Sequence, residues 1–382
     1  MKKIRFGIVM LSASLLLSPI ALAEETEKVV TEMTLEEAID YALVHNANIV
    51  DVGRLEKDQA DAYDDAKRTY QTWKNKLRFD GGYSFETPAD FLDCWGYSYE
   101  MAELQYASFI ASKETAEKTV AYNVMKLAYT IDEVERSIPL LEKTVAKQED
   151  DVKIAEVKVG LNMITQNDLD SAKSTLSSTK LQLESVRTTL ESLKISLKSL
   201  MGFDVLQELK ITLPEYEFQI LEVENLAESI EESLKTNSSA IKENIAFKQK
   251  EQSYILATQT HFMETRDAIK KAKEAFSDAE IRLNNSVNSL KENLLLLYQQ
   301  VKTNEKETIL AKEDFEQLNR KYDQMKVMYE MDMITKHDFD AYEIAVINAE
   351  NTYEAALHEN SLLNERWKIA ITVGDVVATS VQ

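Results

Sequence analysis

The sequence predicts a mainly all-α protein built from duplicated long antiparallel coiled-coil helical hairpins, with one short β-hairpin insertion. Between Leu169 and Leu200 the seam positions are spaced alternately three and four residues apart, which is typical of a coiled coil. A similar run lies 170 residues later, between Phe339 and Ala370, so the unit is duplicated. The 382 residues include only 8 glycines and 4 prolines, a composition that permits very long helices.

The first 23 residues are expected to be a secretory signal peptide. A positive start through Arg5 precedes an apolar core, and Ala21 and Ala23 fit the small-residue rule for cleavage after Ala23. The alternative is a retained membrane anchor, although the apolar stretch is short of a spanning length and contains Pro19. We therefore expect export to the cell envelope: the periplasm or outer membrane if the host has two membranes, and the cell surface if it has one.

The charge of the chain excludes some classes of partner. The sequence has 66 acidic and 44 basic residues, a formal net charge of -22. So acidic a surface argues against nucleic acid or anionic lipid as a partner. Cys94 is the only cysteine, so no intramolecular disulfide can form and packing alone must stabilise the fold.

The first repeat is expected to span residues 24–210. Thr34 and Glu37 have the spacing of a capping box, which predicts a helix start. An ascending seam then reaches Val159, and only a short turn at about 160–166 separates it from the descending seam. Two seams joined so closely must fold back as an antiparallel hairpin.

The second repeat is expected to span residues 211–375, with its turn at about 330–336 and a tail at 376–382. The opening helix of the first repeat has a counterpart 191 residues later. Leu35 and Asn46 of the first repeat are equivalent to Leu226 and Asn237 of the second. This offset exceeds 170 by 21 residues. The first repeat must therefore contain an insertion of about that size.

The insertion is predicted to be an aromatic β-hairpin at about 77–100. Apolar residues occupy odd positions from Leu77 to Phe85, a strand pattern of period two, and residues 87–90 resemble a turn. The hairpin could approach a membrane or form a self-packed cap on the helix ends, since its interleaved acids would be costly in hydrocarbon. The candidate membrane-proximal aromatics are Phe79, Tyr83, Phe85, Trp95 and Tyr97.

Catalysis finds no support in the sequence. The four histidines are far apart and lack paired ligand spacing, and no glycine-rich phosphate loop is present. We predict no enzyme activity, no catalytic residue, no cofactor and no metal site.

The order and spacing of these motifs resemble the TolC-type outer-membrane efflux proteins. The resemblance rests on the opening Leu35-Glu36-Glu37-Ala38, the turn 159–165, the descending heptads ending in Leu200-Met201-Gly202, and the duplication. It covers nearly all of residues 34–374. It implies a homotrimer in which helical hairpins form a tunnel topped by a β-barrel, and whose turns, the tips, dock an adaptor protein and a membrane transporter.

The resemblance assigns roles to the two tips. Asp168 and Asp338 would lie just inside the tunnel entrance, where rings of acids would favour cations, although helix caps are an ordinary alternative. The implied tip and partner-docking residues are Val159, Gly160, Leu161, Asn162, Met163, Ile164, Thr165, Met331, Met333, Ile334 and Thr335.

This chain departs from the family pattern in two places. The second tip has Met331 where the family usually has glycine. Family members also carry two β-hairpins per subunit, whereas one is readable here, so a trimer would supply fewer strands than the roughly eight of the smallest outer-membrane barrels. The first hypothesis remains an oligomeric efflux or export duct, because the duplicated hairpins and tips match that family. The alternatives are an extracytoplasmic coiled-coil scaffold without channel activity, and a module whose tips bind an envelope partner without conducting.

Overall fold

The protein is mainly helical, with two long helical hairpins and one short pair of strands. The computed structural model describes residues 30–80, 85–259 and 265–374. In chain order the elements are β1 (Val30–Thr34), α1 (Leu35–His45), α2 (Ala47–Asp80), α3 (Pro88–Trp95), α4 (Tyr97–Gly160), α5 (Gln166–Met201), β2 (Glu208–Thr212), α6 (Leu226–Thr236), α7 (Ser238–Thr258), α8 (Arg266–Glu330) and α9 (Lys336–Ala370).

The fold class of duplicated helical hairpins is confirmed. Helices α1 and α6 have the same length and begin 191 residues apart, while α5 and α9 begin 170 residues apart. The first hairpin is α4 with α5, and the second is α8 with α9. Helix α4 also packs along α9, so the hairpins form a four-helix row in the order α5, α4, α9, α8.

The main core lies across the middle of this row, where the short helices cover the long ones. One cluster joins Ala38 and Ala42 of α1 to Val124 of α4, Met201 of α5 and Ile369 of α9. A second cluster joins Ile230 of α6 to residues of α8 and α9, with Trp367 almost completely buried at its centre. Both repeats thus bury their amphipathic opening helix in the same way, and these clusters hold the two hairpins together.

A glycine allows the close contact between α1 and the end of α5. Gly202 caps α5 in the left-handed conformation, with φ of 70°. A Cβ atom at this position would lie 2.5 Å from the carbonyl oxygen of His45, so only glycine fits. The Nδ2 atom of Asn46 donates a hydrogen bond to the Leu200 carbonyl oxygen at 2.7 Å, which secures the same junction.

The two strands join the beginning of the first repeat to its end. Strands β1 and β2 pair in parallel, with Val30 opposite Glu208 and Thr34 opposite Thr212. Leu209 and Ile211 pack on the main core cluster. Sequence analysis did not predict this pair, because each strand has only five residues and the partner lies far away in the chain.

The predicted β-hairpin at 77–100 is wrong. Helix α2 continues to Asp80, residues 88–95 form α3, and α4 begins at Tyr97. Residues 81–84 lie outside the described part of the chain. The predicted turn is instead a helix start, because Thr87 and Asp90 form a capping box and Pro88 occupies the first helical turn.

Tyrosine pairs explain why helices extend through this region. Tyr63 and Tyr70 of α2 are one heptad apart, and so are Tyr99 and Tyr106 of α4. Tyr70 stacks on Tyr99 with ring centroids 5.6 Å apart, and Tyr63 stacks on Tyr106 at 5.5 Å. The stacked tyrosines therefore stabilise the pairing of α2 with α4. The alternation of apolar residues at 77–85 was too short to determine the structure of this region.

Two other expectations fall outside the part of the chain that the structure describes. They are the signal peptide at 1–23 and the tail at 376–382. Among the residues that are described, no helix has the combination of length and apolar character needed to cross a membrane.

Candidate functional site

The first tip is a Schellman turn between α4 and α5. The Met163 N–H donates to the Lys158 carbonyl oxygen at 2.8 Å, and the Asn162 N–H donates to Val159 at 2.9 Å. Asn162 adopts the left-handed conformation, with φ of 57°, which asparagine tolerates better than most residues. This turn satisfies the last carbonyl groups of α4 and reverses the chain within five residues.

The second tip repeats this geometry 170 residues later. The Met333 N–H donates to Met328 at 2.8 Å, and the Asp332 N–H donates to Tyr329 at 3.0 Å. The left-handed residue is Asp332, with φ of 56°, whereas Met331 has a φ of -93°. Methionine at 331 therefore causes no strain, and the departure from glycine at this position does not alter the turn.

Both tips expose apolar side chains to solvent. Leu161, Met163, Met331 and Met333 are each 65–67 % exposed, although isolated side chains of this type are often buried. Ile164 turns inward and packs against the small core of Val152, Ala155 and Leu169 below the first tip. In the second hairpin, Tyr329 stacks on Phe339 at 4.8 Å. Each tip thus has a rigid apolar base and an exposed apolar end.

Asp168 and Asp338 serve as helix caps within one chain. Asp168 accepts hydrogen bonds from the Oγ1 and backbone N of Thr165, both at 2.8 Å, and these bonds lower the pKa of its carboxyl group. Asp338 accepts one from Thr335 Oγ1 at 2.7 Å. This is the geometry of the cap alternative. Their role at a tunnel entrance concerns an assembly and stays a prediction.

Polar contacts between α4 and α9 join the two hairpins near the second tip. His337 Nδ1 lies 2.8 Å from an Asp151 carboxylate oxygen, and Lys336 lies 3.3 Å from Asp150. Hydrogen bonds from Lys153 and Lys336 lower the pKa of Asp150. A cleft of about 280 Å³ opens beside this network, lined by Asp151, Ile154, Ala155, Lys158, Ile164 and His337. The start of α9, just after the second tip, is therefore held against α4 at Asp150 and Asp151, before the first tip. Sequence reasoning missed this link because it joins α4 to α9.

Ion pairs also follow one edge of the first hairpin at heptad spacing. Each pair joins α4 to α5 at 2.7–2.8 Å, and successive pairs are seven residues apart on both helices, as expected for an antiparallel coiled coil. The ladder consists of Glu156 with Lys173, Glu149 with Lys180, Glu142 with Arg187, and Glu135 with Lys194.

The second hairpin contains a buried polar layer in place of an apolar one. Asn360 is fully buried, and its Oδ1 accepts hydrogen bonds from Tyr216 Oη at 3.3 Å and the Gln219 backbone N at 3.2 Å. Glu305 accepts a hydrogen bond from the Leu221 backbone N at 2.8 Å. These contacts attach the connector, residues 213–225, to α8 and α9. Nothing in the seam pattern predicted them, because their partners lie in irregular backbone.

Three of the predicted membrane-proximal aromatics, Phe85, Trp95 and Tyr97, lie between the end of α2 and the first residue of α4. Trp95 is exposed, while Tyr97 stacks on the buried Phe91 with ring centroids 6.4 Å apart. Phe85 lies against Phe91 at 5.5 Å. The side chains of Phe79 and Tyr83 lie outside the described part, so a membrane role for this group stays a prediction. No group of three or more metal-ligating side chains occurs among the described residues.

Comparison with known proteins identifies the fold. No family model and no curated protein sequence matches the chain. Solved structures do match, among them the open state of the MtrE outer membrane channel of Neisseria gonorrhoeae. It is 14% identical with a TM-score of 0.60, and the match covers 90% of this chain and 90% of that one.

Two further structures agree with this result. The CmeC outer membrane channel of Campylobacter jejuni is 13% identical with a TM-score of 0.57, and the match covers 95% of each chain. The outer membrane protein VceC of Vibrio cholerae is 12% identical with a TM-score of 0.56, covering 89% of this chain and 96% of that one. The chain therefore has the fold predicted from the resemblance to TolC-type proteins, at an identity that establishes the fold alone.

Proposed function

We propose that this chain, which has a TolC-type fold, is the subunit of an export or efflux duct in the cell envelope. Several copies assemble through their coiled-coil helices, as a homotrimer if the resemblance extends to stoichiometry. The two tips of each subunit dock an adaptor protein and, with it, a membrane transporter. In this function the chain carries no catalytic group and requires no cofactor.

The observation that carries this proposal is the pair of matched tips. Both present apolar side chains at the same end of the four-helix row, and contacts between α9 and α4 join the two hairpins near that end. Exposed methionine and leucine on a rigid turn form a surface suited to another apolar protein surface.

The experiment is conductance across a planar lipid bilayer, measured with the purified protein from residue 24 onward. A duct is expected to give stepwise, uniform conductance increments at nanomolar protein. A scaffold is expected to leave the bilayer current unchanged at any concentration. An oligomer of defined mass that never conducts would contradict the duct.

The docking step has its own test. Replacing Met163 and Met333 by aspartate places charge on both tips without touching a buried group. Photo-crosslinking from Leu161 in the native cell is expected to capture one envelope protein, and the double variant is expected to lose that product. An unchanged product would remove the apolar tip surface from the proposal.

A second candidate function is an extracytoplasmic coiled-coil scaffold. It is favoured by the end of the row opposite the tips, where the segment predicted to be a hairpin forms helices α2 to α4. The bilayer experiment separates the two, because a scaffold assembles and does not conduct.

A further inference from the structure

The connector, residues 213–225, has one backbone edge bound to the second hairpin. The N–H and the carbonyl oxygen of Gln219 are both bonded to side chains of α9, and those of Leu221 are both bonded to side chains of α8. The partner atoms, in this order, are Asn360 Oδ1 at 3.2 Å, Asn364 Nδ2 at 3.4 Å, Glu305 Oε1 at 2.8 Å and Lys302 Nζ at 2.5 Å. Side chains, and not a neighbouring strand, therefore satisfy this edge.

The opposite edge of the same segment faces solvent. The side chains of Leu221 and Val223 pack on the second core cluster while that of Glu222 is exposed, which is the alternation of an extended strand. In such a strand, successive residues direct their N–H and carbonyl groups to opposite edges. In the part of the chain that the structure describes, neither Ile220 nor Glu222 uses these groups in a hydrogen bond. We call the backbone of these two residues the open edge.

The first repeat shows how this fold fills such an edge. Strand β1 precedes α1 as the connector precedes α6, and β2 pairs along β1 in parallel. Leu209 and Ile211 of β2 pack on the main core, and Lys210 between them lies 3.1 Å from Glu32, its opposite residue on β1. The strand that occupies the edge is thus short, alternates apolar with polar residues, and places a lysine against a glutamate.

The side chains along the open edge define the chemistry of an occupant. Ile220 is 59% exposed, and Glu222 and Glu224 beside it are exposed as well. Residues 211–234 contain no lysine or arginine, and neither do residues 375–382, which follow the second hairpin as β2 follows the first. A second copy of the acidic connector would repel the first. Charge complementarity therefore favours a basic strand from another protein.

We propose that the open edge binds an extended basic segment of a partner protein, which adds as a strand along Ile220 and Glu222 as β2 adds to β1. Backbone hydrogen bonds give the affinity. An apolar side chain over Ile220 and basic side chains at Glu222 and Glu224 give the selectivity. The site lies beside the second core cluster and not at the tips, so the inference goes beyond the proposed function and does not depend on conduction.

The first test uses a short labelled peptide of alternating leucine and lysine with the protein from residue 24 onward. This peptide is expected to bind and to slow hydrogen exchange at the Ile220 and Glu222 amides. The same peptide with glutamate for lysine is expected to bind at least about tenfold more weakly. A peptide N-methylated at alternate residues cannot pair as a strand and is the control for nonspecific adhesion. Equal binding of the basic and acidic peptides would overturn the proposal.

The second test removes one donor from the open edge. Glu222→Pro deletes an N–H that has no partner within the described chain, and proline favours the extended conformation already present at Leu221. Binding of the basic peptide is expected to weaken roughly tenfold. The matched control Glu222→Gln loses the charge but keeps the N–H, and should weaken binding less. Equal losses in both variants would assign the effect to charge and overturn strand addition.

The third test reverses the charge of the open edge without altering its backbone. Glu222→Lys with Glu224→Lys is expected to invert the preference, so that the acidic peptide binds more tightly than the basic one. The matched control is Glu313→Lys with Asp314→Lys, the same change of charge at exposed positions of α8. The control is expected to keep the original preference. Inversion in both variants would mean that net charge, and not this site, selects the peptide.

Hydrogen exchange without peptide separates the other possible occupants. Fast exchange at Ile220 and Glu222 at every protein concentration supports an edge that awaits a partner. Slow exchange that becomes fast when residues 375–382 are removed would assign the edge to the chain's own C-terminal residues and overturn the proposal. Slow exchange that depends on protein concentration would assign it to a second copy, with the same consequence. The duct is tested by conductance and is unaffected by any of these results.

Discussion

Where the first hairpin buries Leu190, the second buries Asn360 at the equivalent position 170 residues later. The first hairpin has an apolar seam at this level and a heptad ladder of ion pairs along its edge. The second has a polar layer that binds the connector, and stacked aromatic rings nearer its tip. The backbone register is therefore retained while the side chains that fill it differ.

This comparison separates two roles for equivalent helices. At this level the first hairpin closes on an apolar seam that includes the buried Leu190, so its stability there should depend on seam packing. The second hairpin also holds residues 213–225 through Asn360 and Glu305, so part of its polar interior is required by a third segment. A substitution that transfers a residue from one hairpin to the other should be unfavourable in both directions, for different physical reasons.

The largest effect is expected from placing the polar residue in the apolar seam. Leu190→Asn buries an amide with no connector to receive its hydrogen bonds and should lower the free energy of unfolding by about 3 kcal/mol. Chemical denaturation measures this loss. The matched control is Ile195→Asn on the same helix, where the side chain is exposed and the change should be small. Equal losses at both sites would contradict the distinction between seam and surface.

The reverse exchange should have a smaller effect. Asn360→Leu removes a fully buried acceptor from the Gln219 N–H and the Tyr216 hydroxyl and should cost about 1–3 kcal/mol. It should also increase hydrogen exchange at Gln219 and its neighbours in the connector. Asn348→Leu, an exposed position on the same helix, is the control. A stabilised protein with unchanged exchange would show that the polar layer does not hold the connector.

A smaller effect is expected from the ion-pair ladder of the first hairpin. Lys180→Glu places like charges beside Glu149 and should lower Tm at low salt, since the Lys180 hydrogen bond is what lowers the pKa of Glu149. The difference should vanish in 1 M salt, because exposed charges are then screened. Adding Glu149→Lys should restore Tm. A loss that persists in high salt would assign the effect to packing.

The smallest effect concerns the cap of the first tip. Thr165→Ala removes the hydroxyl donor to Asp168, so the pKa of Asp168 should rise toward its ordinary value in an NMR titration. In the native protein the folded-state pKa is depressed, so the cap stabilises the tip above the unfolded-state pKa of Asp168. That stabilisation is lost as pH falls through the depressed value. An unchanged titration would show that Thr165 does not determine this pKa.

Much of this architecture could be predicted from local pattern. The seam between Leu169 and Leu200, the turns, and the Thr165 cap depend on residues within a few positions of one another, and the structure reproduces them. The fixed offset predicted two equivalent turns, and the structure adds that a left-handed residue, Asn162 or Asp332, stands at the matching site of each.

The failures share a physical cause, which is distance along the chain. The β1–β2 pair joins Glu32 to Lys210, and the α2–α4 pair joins Tyr70 to Tyr99 through tertiary contacts that no short window contains. The alternation at 77–85 spans too few residues to outweigh a neighbouring helix with heptad tyrosines. The connector and the α4–α9 ion pairs were missed for the same reason. For β2, the apolar residues at alternate positions, Leu209 and Ile211, were a usable sequence signal of a strand.

The main core has a consequence for chain topology. It gathers Leu35 near the start of the described chain and Val373 near its end, so the first and last helices belong to one packed unit. A circularly permuted protein, with a linker from residue 374 to residue 30 and new termini opened within the α7–α8 junction, should therefore keep its packing and fold. The packing of the helices in the folded protein would then not depend on the order in which the ribosome makes them.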